Sequence, residues 1–122
     1  AKGDAGMSNG KWVDLPDSDA FIQALLKSKV SLQIAKWEQE DDNINKLLLR
    51  DQKGNLVGAS VRPLIWNNAT RPVFAQALKG QAWAADEVKP DTSTQVPSVH
   101  VSAPVLDHGK PIGVLHGAVT AK

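Results

Sequence analysis

The chain has 122 residues, of which 42% are hydrophobic and 22% are charged, and this length and composition are typical of a single globular domain. Its 14 basic and 13 acidic side chains are spread without runs of one sign, so no positive field would attract nucleic acid or an anionic membrane. Cysteine is absent, which excludes disulfides, thiolate nucleophiles and zinc–cysteine sites. No apolar stretch approaches the roughly 18 to 20 residues of a membrane span, so we expect no span within the chain.

The first residues are rich in glycine and polar side chains and end near Pro16. We interpret residues 1–17 as a flexible leader and residues 18–122 as the folded domain. The start Ala1-Lys2-Gly3 is typical of a mature end left by a signal peptidase, which favours export to the periplasm. A cloning scar or plain disorder explains the same residues equally well.

A long amphipathic helix is predicted from about residue 18 to about Asp41. The segment 16–19 places a proline and capping side chains before it. Five apolar residues at spacings of three or four then fall on one stripe, namely Ile22, Leu26, Val30, Ile34 and Trp37. The competing interpretation is a strand over residues 29–34, where apolar and polar residues alternate.

Two hairpins are predicted in the rest of the chain. Residues 44–50 and 56–61 flank a polar turn with Gly54, and residues 99–106 and 111–120 flank a turn with Gly109. Residues 83–88 predict one further strand. With these strands met in succession, the sequence predicts an antiparallel sheet with helices against it, an α+β fold.

A short helix is predicted between the two hairpins. Thr70 can cap it, Pro72 suits its first turn, and Gly80 ends it. Residues 62–70 before it, with a proline and two adjacent asparagines, are interpreted as a structured loop.

The register of the second hairpin predicts a polar hollow on one face of the sheet. If Leu106 pairs with Pro111, His100 lies opposite Gly117 and Ser102 lies opposite Leu115. His100 and Ser102 then share a face, whereas His116 points to the other side of the sheet. In the alternative interpretation, the strand glycines only mark bulges or close backbone approach, and His100 is simply exposed.

The other face of this hairpin is predicted to be apolar and to pack against the long helix. Val30, Ile34 and Trp37 should then be buried against the hairpin residues Val101, Ala103 and Val114.

Catalysis and metal binding find little support in the sequence. A triad could be assembled from Ser102, His100 and Asp91, but no nucleophile-elbow pattern is present. The histidines at 100, 108 and 116 are predicted not to share a face, which disfavours a three-histidine metal site. The glycines form no phosphate-binding motif at a strand-to-helix turn. We therefore expect no enzyme activity, no metal and no cofactor.

Aromatic and basic side chains around the short helix predict the walls of a ligand site. Trp66 shares its loop with two asparagines, and Trp83 follows the helix, although simple packing is the alternative for both. Arg71 begins the helix, and a planar guanidinium is the usual partner of a carboxylate. A solvated surface arginine is the alternative interpretation of Arg71.

Three segments of the chain resemble, in order, the extracytoplasmic Cache (periplasmic PAS-like) sensor domains. They are LLRDQKGNLVGAS at 48–60, RPVFAQALKG at 71–80 and VSAPVLDHGKPIGVL at 101–115, and the resemblance covers about residues 18–120. It implies a PAS-like five-stranded antiparallel sheet with a long amino-terminal helix packed on one face. The other face and its covering loops would hold the ligand.

The resemblance also implies a function in bacterial signal transduction, since such domains belong to chemoreceptors, sensor kinases and cyclic-dinucleotide enzymes. Arg71 and Phe74 match the Arg-Pro-aromatic-Phe segment of the family, with Val73 in place of the usual aromatic residue. That departure removes one common pocket wall. The leader fits a free periplasmic protein better than a receptor fragment, and a homodimer through the long helix is a further expectation.

The sequence thus predicts a non-catalytic domain that binds a small molecule bearing a carboxylate or similar anionic group. The rival hypothesis is a structural or protein-interaction domain whose cavity is filled by side chains. The predicted ligand-binding residues are Trp66, Arg71, Phe74, Trp83, His100 and Ser102.

Overall fold

A computed structural model describes residues 6–91 and 93–121 of the chain. Groups of helices and groups of strands follow one another along it. The helices are α1 (Asn9–Asp14), α2 (Ala20–Leu26), α3 (Lys29–Gln39) and α4 (Pro72–Leu78). The strands are β1 (Ile44–Asp51), β2 (Leu56–Ala59), β3 (Trp83–Ala84), β4 (Lys89–Pro90), β5 (Pro97–Asp107) and β6 (Lys110–Thr120). This composition confirms the predicted α+β class.

The strands form one antiparallel sheet in the order β2-β1-β6-β5-β3, with β4 also pairing with β5. Both predicted hairpins are present, as β1–β2 and β5–β6. The strand predicted over 83–88 is reduced to two residues of β3, and β4 follows as a second short piece. The sheet of the described residues therefore has six strands and not five. Pro90 has no amide hydrogen, which keeps β4 to the sheet edge.

The long helix predicted from residue 18 to Asp41 is two helices. Ser28 interrupts it, because its side chain accepts a hydrogen bond from the backbone N–H of Ser31 and caps α3. The Ser31 hydroxyl in turn donates to the carbonyl oxygen of Leu25, near the end of α2, at 2.6 Å. No helix among the described residues is longer than the 11 residues of α3. The long helix through which a homodimer was predicted is therefore not present among them.

The packing predicted for this helix is also wrong. Within the described residues α3 lies against β2 and β1 and does not reach the β5–β6 hairpin. Gly58 in β2 leaves room for this approach, since a Cβ there would lie 2.7 Å from Val30 Cγ1. Ile34 is buried, but Val30 is 40% and Trp37 is 50% exposed.

The segment predicted as a flexible leader contains helix α1, although residues 1–5 lie outside the described residues. The side chain of Ser8 caps α1, and Trp12 is fully buried against Trp66. The Trp12 indole Nε1 donates to the carbonyl oxygen of Pro63 at 2.8 Å, and the Arg62 guanidinium donates to the Trp12 carbonyl oxygen at 2.7 Å. These contacts make α1 part of the folded core.

The predicted register of the second hairpin is wrong by one residue. Leu106 pairs with Pro111 as expected, but Val105 pairs with Gly113, so Ile112 is an extra residue in β6. Because side chains alternate along a strand, this bulge turns every later β6 side chain to the opposite face. His116 consequently lies opposite Ser102 and shares the face of His100.

We predict that Trp12→Ala lowers the free energy of unfolding by about 3 to 5 kcal/mol, because it removes a fully buried indole from the core. Trp37→Ala is the matched control, because its half-exposed side chain should cost roughly 1 kcal/mol or less. Urea denaturation followed by circular dichroism measures both. Equal losses in the two variants would contradict the burial of Trp12 beside the loop that contains Pro63.

Candidate functional site

A cavity of about 430 Å³ lies on the sheet face that carries α4. Its floor contains Lys46, Leu48 and Arg50 of β1, with His100 of β5 and His116 of β6. The loop from residue 63 to the start of α4 forms one wall, and residues between 83 and 93 form the other. Loops therefore close a pocket over a floor that the sheet positions.

Three of the predicted ligand-binding residues line this cavity, and three do not. Arg71, Trp83 and His100 are part of its lining. Trp66 is instead buried in the core beside Trp12. Phe74 points from α4 toward the sheet and packs against Val114 of β6.

Ser102 fixes the position of helix α4, and Arg71 stands at the start of that helix. The Ser102 hydroxyl donates to the carbonyl oxygen of Val73 at 2.6 Å, which ties the first turn of α4 to β5. Arg71 is the N-cap residue, so the cap predicted at Thr70 is wrong, while Pro72 stands in the first turn as predicted. The Arg71 side chain makes no capping hydrogen bond and lies exposed beside the cavity.

A buried ion pair joins the cavity floor to the loop after β4. Lys46 Nζ donates to Asp91 Oδ1 at 2.5 Å, and both side chains are almost completely buried. The second carboxylate oxygen of Asp91 accepts the backbone N–H groups of Ser93 and Thr94, each at 2.9 Å. Burial alone would raise the pKa of Asp91, but Lys46 and these amides more than offset it and the pKa is lowered. Asp91 is therefore a carboxylate with both of its oxygens occupied.

Arg50 is a buried cation in the cavity floor whose hydrogen-bond partners, within the part of the chain that the structure describes, are carbonyl oxygens. Its terminal nitrogens donate to the carbonyl oxygens of Gly54, Ile65 and Trp66 at 3.2, 3.0 and 2.6 Å. Its Nε has no hydrogen-bond partner among the described residues, and no carboxylate there forms an ion pair with it. Burial lowers the pKa of Arg50 to about 10, so the guanidinium stays charged at neutral pH.

Two histidines form a hydrogen-bonded pair on the same floor. His100 Nδ1 lies 2.8 Å from His116 Nε2, and His100 Nε2 lies 3.4 Å from Asp91 Oδ1. Burial, followed by the charge of Lys46, lowers the pKa of His100 and lowers that of His116 further, so both rings are neutral at neutral pH.

The carboxylate of Asp91 selects one tautomer of this pair. The negative charge of Asp91, 3.4 Å from His100 Nε2, favours the tautomer in which His100 holds its proton on Nε2 and accepts through Nδ1 from Nε2 of His116. His116 Nδ1 is then an acceptor, and it is buried without a partner among the described residues.

Several residues of this site were missed from the sequence. Lys46, Leu48 and Arg50 occupy every second position of β1 and so lie on one face of the sheet. Two charged side chains on one face of a strand that is not at the sheet edge are a signal that this face meets a polar cavity. Asn68 was considered only as a neighbour of Trp66, but it is buried, lines the cavity and has an unpaired Oδ1. His116 was assigned to the wrong face because the bulge at Ile112 has no clear sequence signal.

Other kinds of site receive no support from the part of the chain that the structure describes. No group of three or more histidine, aspartate or glutamate side chains there could hold a metal ion. None of the described helices combines the length and the hydropathy needed to cross a membrane.

Solved sensor domains share this architecture. The sensor domain of the V. cholerae histidine kinase DctB is 24% identical and superposes over 81% of this chain with a TM-score of 0.57. The sensory domain of the Campylobacter jejuni chemoreceptor Tlp3 with isoleucine bound is 18% identical over 92% of this chain, with a TM-score of 0.60. The E. coli DcuS sensor domain is 16% identical over 84%, with a TM-score of 0.60.

The chain has the fold of a Cache-type sensor domain. This result confirms, at the level of fold, the resemblance found in the sequence. No family model matches the sequence, and no curated protein matches it. The chain spans 42% of the DctB structure, 47% of the Tlp3 structure and 77% of the DcuS structure, so the first two contain about twice this chain's length.

We predict that the free energy of unfolding decreases as the pH falls from about 6.5 to about 5. The unfolded chain binds protons on its histidines in this range, while burial keeps the folded His116 neutral, so acid favours the unfolded state. One such histidine contributes a slope of up to about 1.4 kcal/mol per pH unit.

Urea denaturation at a series of pH values measures this slope. His116→Gln should reduce it by close to the contribution of one proton. His108→Gln, in the exposed turn between β5 and β6, is the matched control. A slope that His116→Gln leaves unchanged would contradict the burial of a neutral imidazole at this position.

Proposed function

We propose that this chain is a non-catalytic, extracytoplasmic ligand-binding domain of bacterial signal transduction, and that its ligand is a small molecule with a carboxylate or similar anionic group. The observation that carries the proposal is Arg50, a buried guanidinium beside a cavity and without a carboxylate partner among the described residues. Burying a charge is costly unless it is paired, so an anion in the cavity would relieve that cost.

The arrangement of cations around the cavity supports an anionic ligand. Arg71 lies at the cavity with no ion pair or side-chain hydrogen bond among the described residues. A guanidinium can give a carboxylate two parallel hydrogen bonds. The amide of Asn68, which lines the same cavity, adds a neutral polar group.

The local geometry supports a non-catalytic role. The hydroxyl of Ser102 donates to the carbonyl oxygen of Val73 and not to His100, so the triad considered from the sequence is not assembled. His100 is engaged with His116 and faces Asp91, and Asp91 is held by Lys46.

The solved relatives support sensing outside the cytoplasm. DctB and DcuS are represented by their sensor domains, and the Tlp3 domain has isoleucine bound. We carry over to this chain the class of function and the extracytoplasmic location, and we take the chemistry of the ligand from the cavity alone.

The rival function is a structural or protein-interaction domain. The cavity filled by side chains that was predicted for it does not match the open cavity of about 430 Å³, so a rival of this kind would have a cavity that binds no small molecule. A thermal-shift screen of organic acids, amino acids and amines on the purified chain separates the two. A ligand present at a hundred times its dissociation constant adds about 2.7 kcal/mol of stability, which raises the melting temperature measurably. The absence of any shift across the three classes would favour the rival.

We predict that Arg71→Ala weakens binding of the acid that gives the largest shift by roughly ten- to a hundredfold, because a charge-assisted hydrogen bond contributes about 1.5 to 3 kcal/mol. Arg71→Lys should restore only part of the affinity, since lysine lacks the planar fork. Isothermal titration calorimetry measures both variants.

Lys79→Ala is the matched control, because it removes a positive charge from an exposed residue just after α4 that does not line the cavity. Unchanged affinity in Arg71→Ala would remove Arg71 from the site.

A further inference from the structure

The cavity has cations available for a ligand but no free buried carboxylate. Among the described residues, Asp91 is the one acidic side chain that is fully buried, and Lys46 holds its Oδ1. The backbone N–H groups of residues 93 and 94 hold its Oδ2. Asp91 itself does not line the cavity, whereas Lys46 does, so a ligand ammonium group would meet Lys46 and not a free carboxylate.

The acidic side chains at the rim of the cavity do not replace Asp91. Asp86 and Glu87 are exposed to solvent, and Glu87 is paired with Lys89 at 3.5 Å. Exposed ion pairs contribute little, because water screens them. An ammonium group held there would remain at the surface and would gain little from the cavity.

The charges that face the cavity from each surrounding element are mostly positive. Strand β1 contributes Lys46 and Arg50, and the start of α4 contributes Arg71. The acidic side chains that line the cavity are the two rim residues just described, and Asp91, behind the lining, is paired with Lys46. The histidine pair is exposed to this positive charge as well. After burial, the charge of Lys46 is the next cause that lowers the pKa of both imidazoles. A ligand cation placed beside these rings would meet the same repulsion as an added proton.

We propose that the cavity selects carboxylates that carry no ammonium group, and that the Lys46–Asp91 pair determines this specificity. Lys46 occupies the carboxylate that would otherwise receive the ammonium group of an amino acid. This inference rests on the proposed function and narrows its ligand to organic acids with neutral substituents, such as hydroxy acids and unsubstituted acids.

The first test compares propionate, L-lactate and L-alanine, which share a carbon skeleton and differ at C2 in a hydrogen, a hydroxyl and an ammonium group. Succinate, L-malate and L-aspartate repeat the comparison with a longer skeleton. Isothermal titration calorimetry at neutral pH should show the amino acid binding at least about tenfold more weakly than the hydroxy acid in each series that binds, because like charges in a binding site are costly.

The second test changes the pair itself. Lys46→Met removes the ammonium group that holds Asp91, and it should raise the affinity for L-alanine relative to propionate by about tenfold or more. The double variant Lys46→Met/Asp91→Asn should lose that gain. Lys79→Met makes the same change at an exposed site and is the matched control. Circular dichroism establishes that each variant is folded, and the wild-type ligand series decides the question if Lys46→Met is not.

The outcomes separate this inference from the function on which it rests. Binding of L-alanine or L-aspartate as tight as that of the hydroxy acid overturns the selectivity and leaves a carboxylate-binding domain. A Lys46→Met variant that folds and shows no gain for L-alanine overturns the role of the pair. If neither these six acids nor any compound of the thermal-shift screen binds the wild-type chain, the proposed function and this inference fall together.

Discussion

One extra residue in β6 decides which side chains the sheet presents to the cavity. Ile112 forms a bulge next to Gly113, where a Cβ would lie 2.5 Å from the carbonyl oxygen of Arg50, so glycine allows β1 to approach. Beyond the bulge, the alternation of side chains is inverted relative to an unbroken hairpin. His116 thereby reaches the cavity floor beside His100, and Val114 reaches the core under α4. The histidine pair depends on this single irregularity.

The floor that results contains charges whose burial reduces stability unless each is compensated. Asp91 compensates Lys46 directly, whereas three carbonyl oxygens compensate Arg50 only in part. An apolar floor would avoid that desolvation cost, and under the proposed function an anionic ligand would offset it. The same carbonyl oxygens belong to the loop that forms a cavity wall, so Arg50 fixes the wall as well as the charge of the site.

The sequence predicted those features of the fold that local patterns determine. Alternating apolar residues with polar turns specified both hairpins, and Pro72 and Gly80 bounded α4. The break before α3 depends on whether Ser28 caps a helix or continues one, and propensity alone does not distinguish the two. Likewise, predicting the cavity floor requires knowing the register of β6 and the pairing of Asp91 with Lys46 of β1. Both depend on contacts between residues far apart in the sequence. Hence Arg71, Trp83 and His100 were found and Lys46, Arg50 and His116 were not.

The loop between β2 and α4 is held from both of its sides, which explains how a segment without regular structure can form a cavity wall. On the cavity side, Arg50 binds the carbonyl oxygens of Ile65 and Trp66. On the other side, the Trp12 indole binds the carbonyl oxygen of Pro63, and its ring packs on that of Trp66. A wall fixed in this way is organised before a ligand arrives, so less binding free energy is lost in ordering it. Helix α1 thus contributes to the site without touching the cavity, since displacing Trp12 would loosen the wall that Arg50 holds from within.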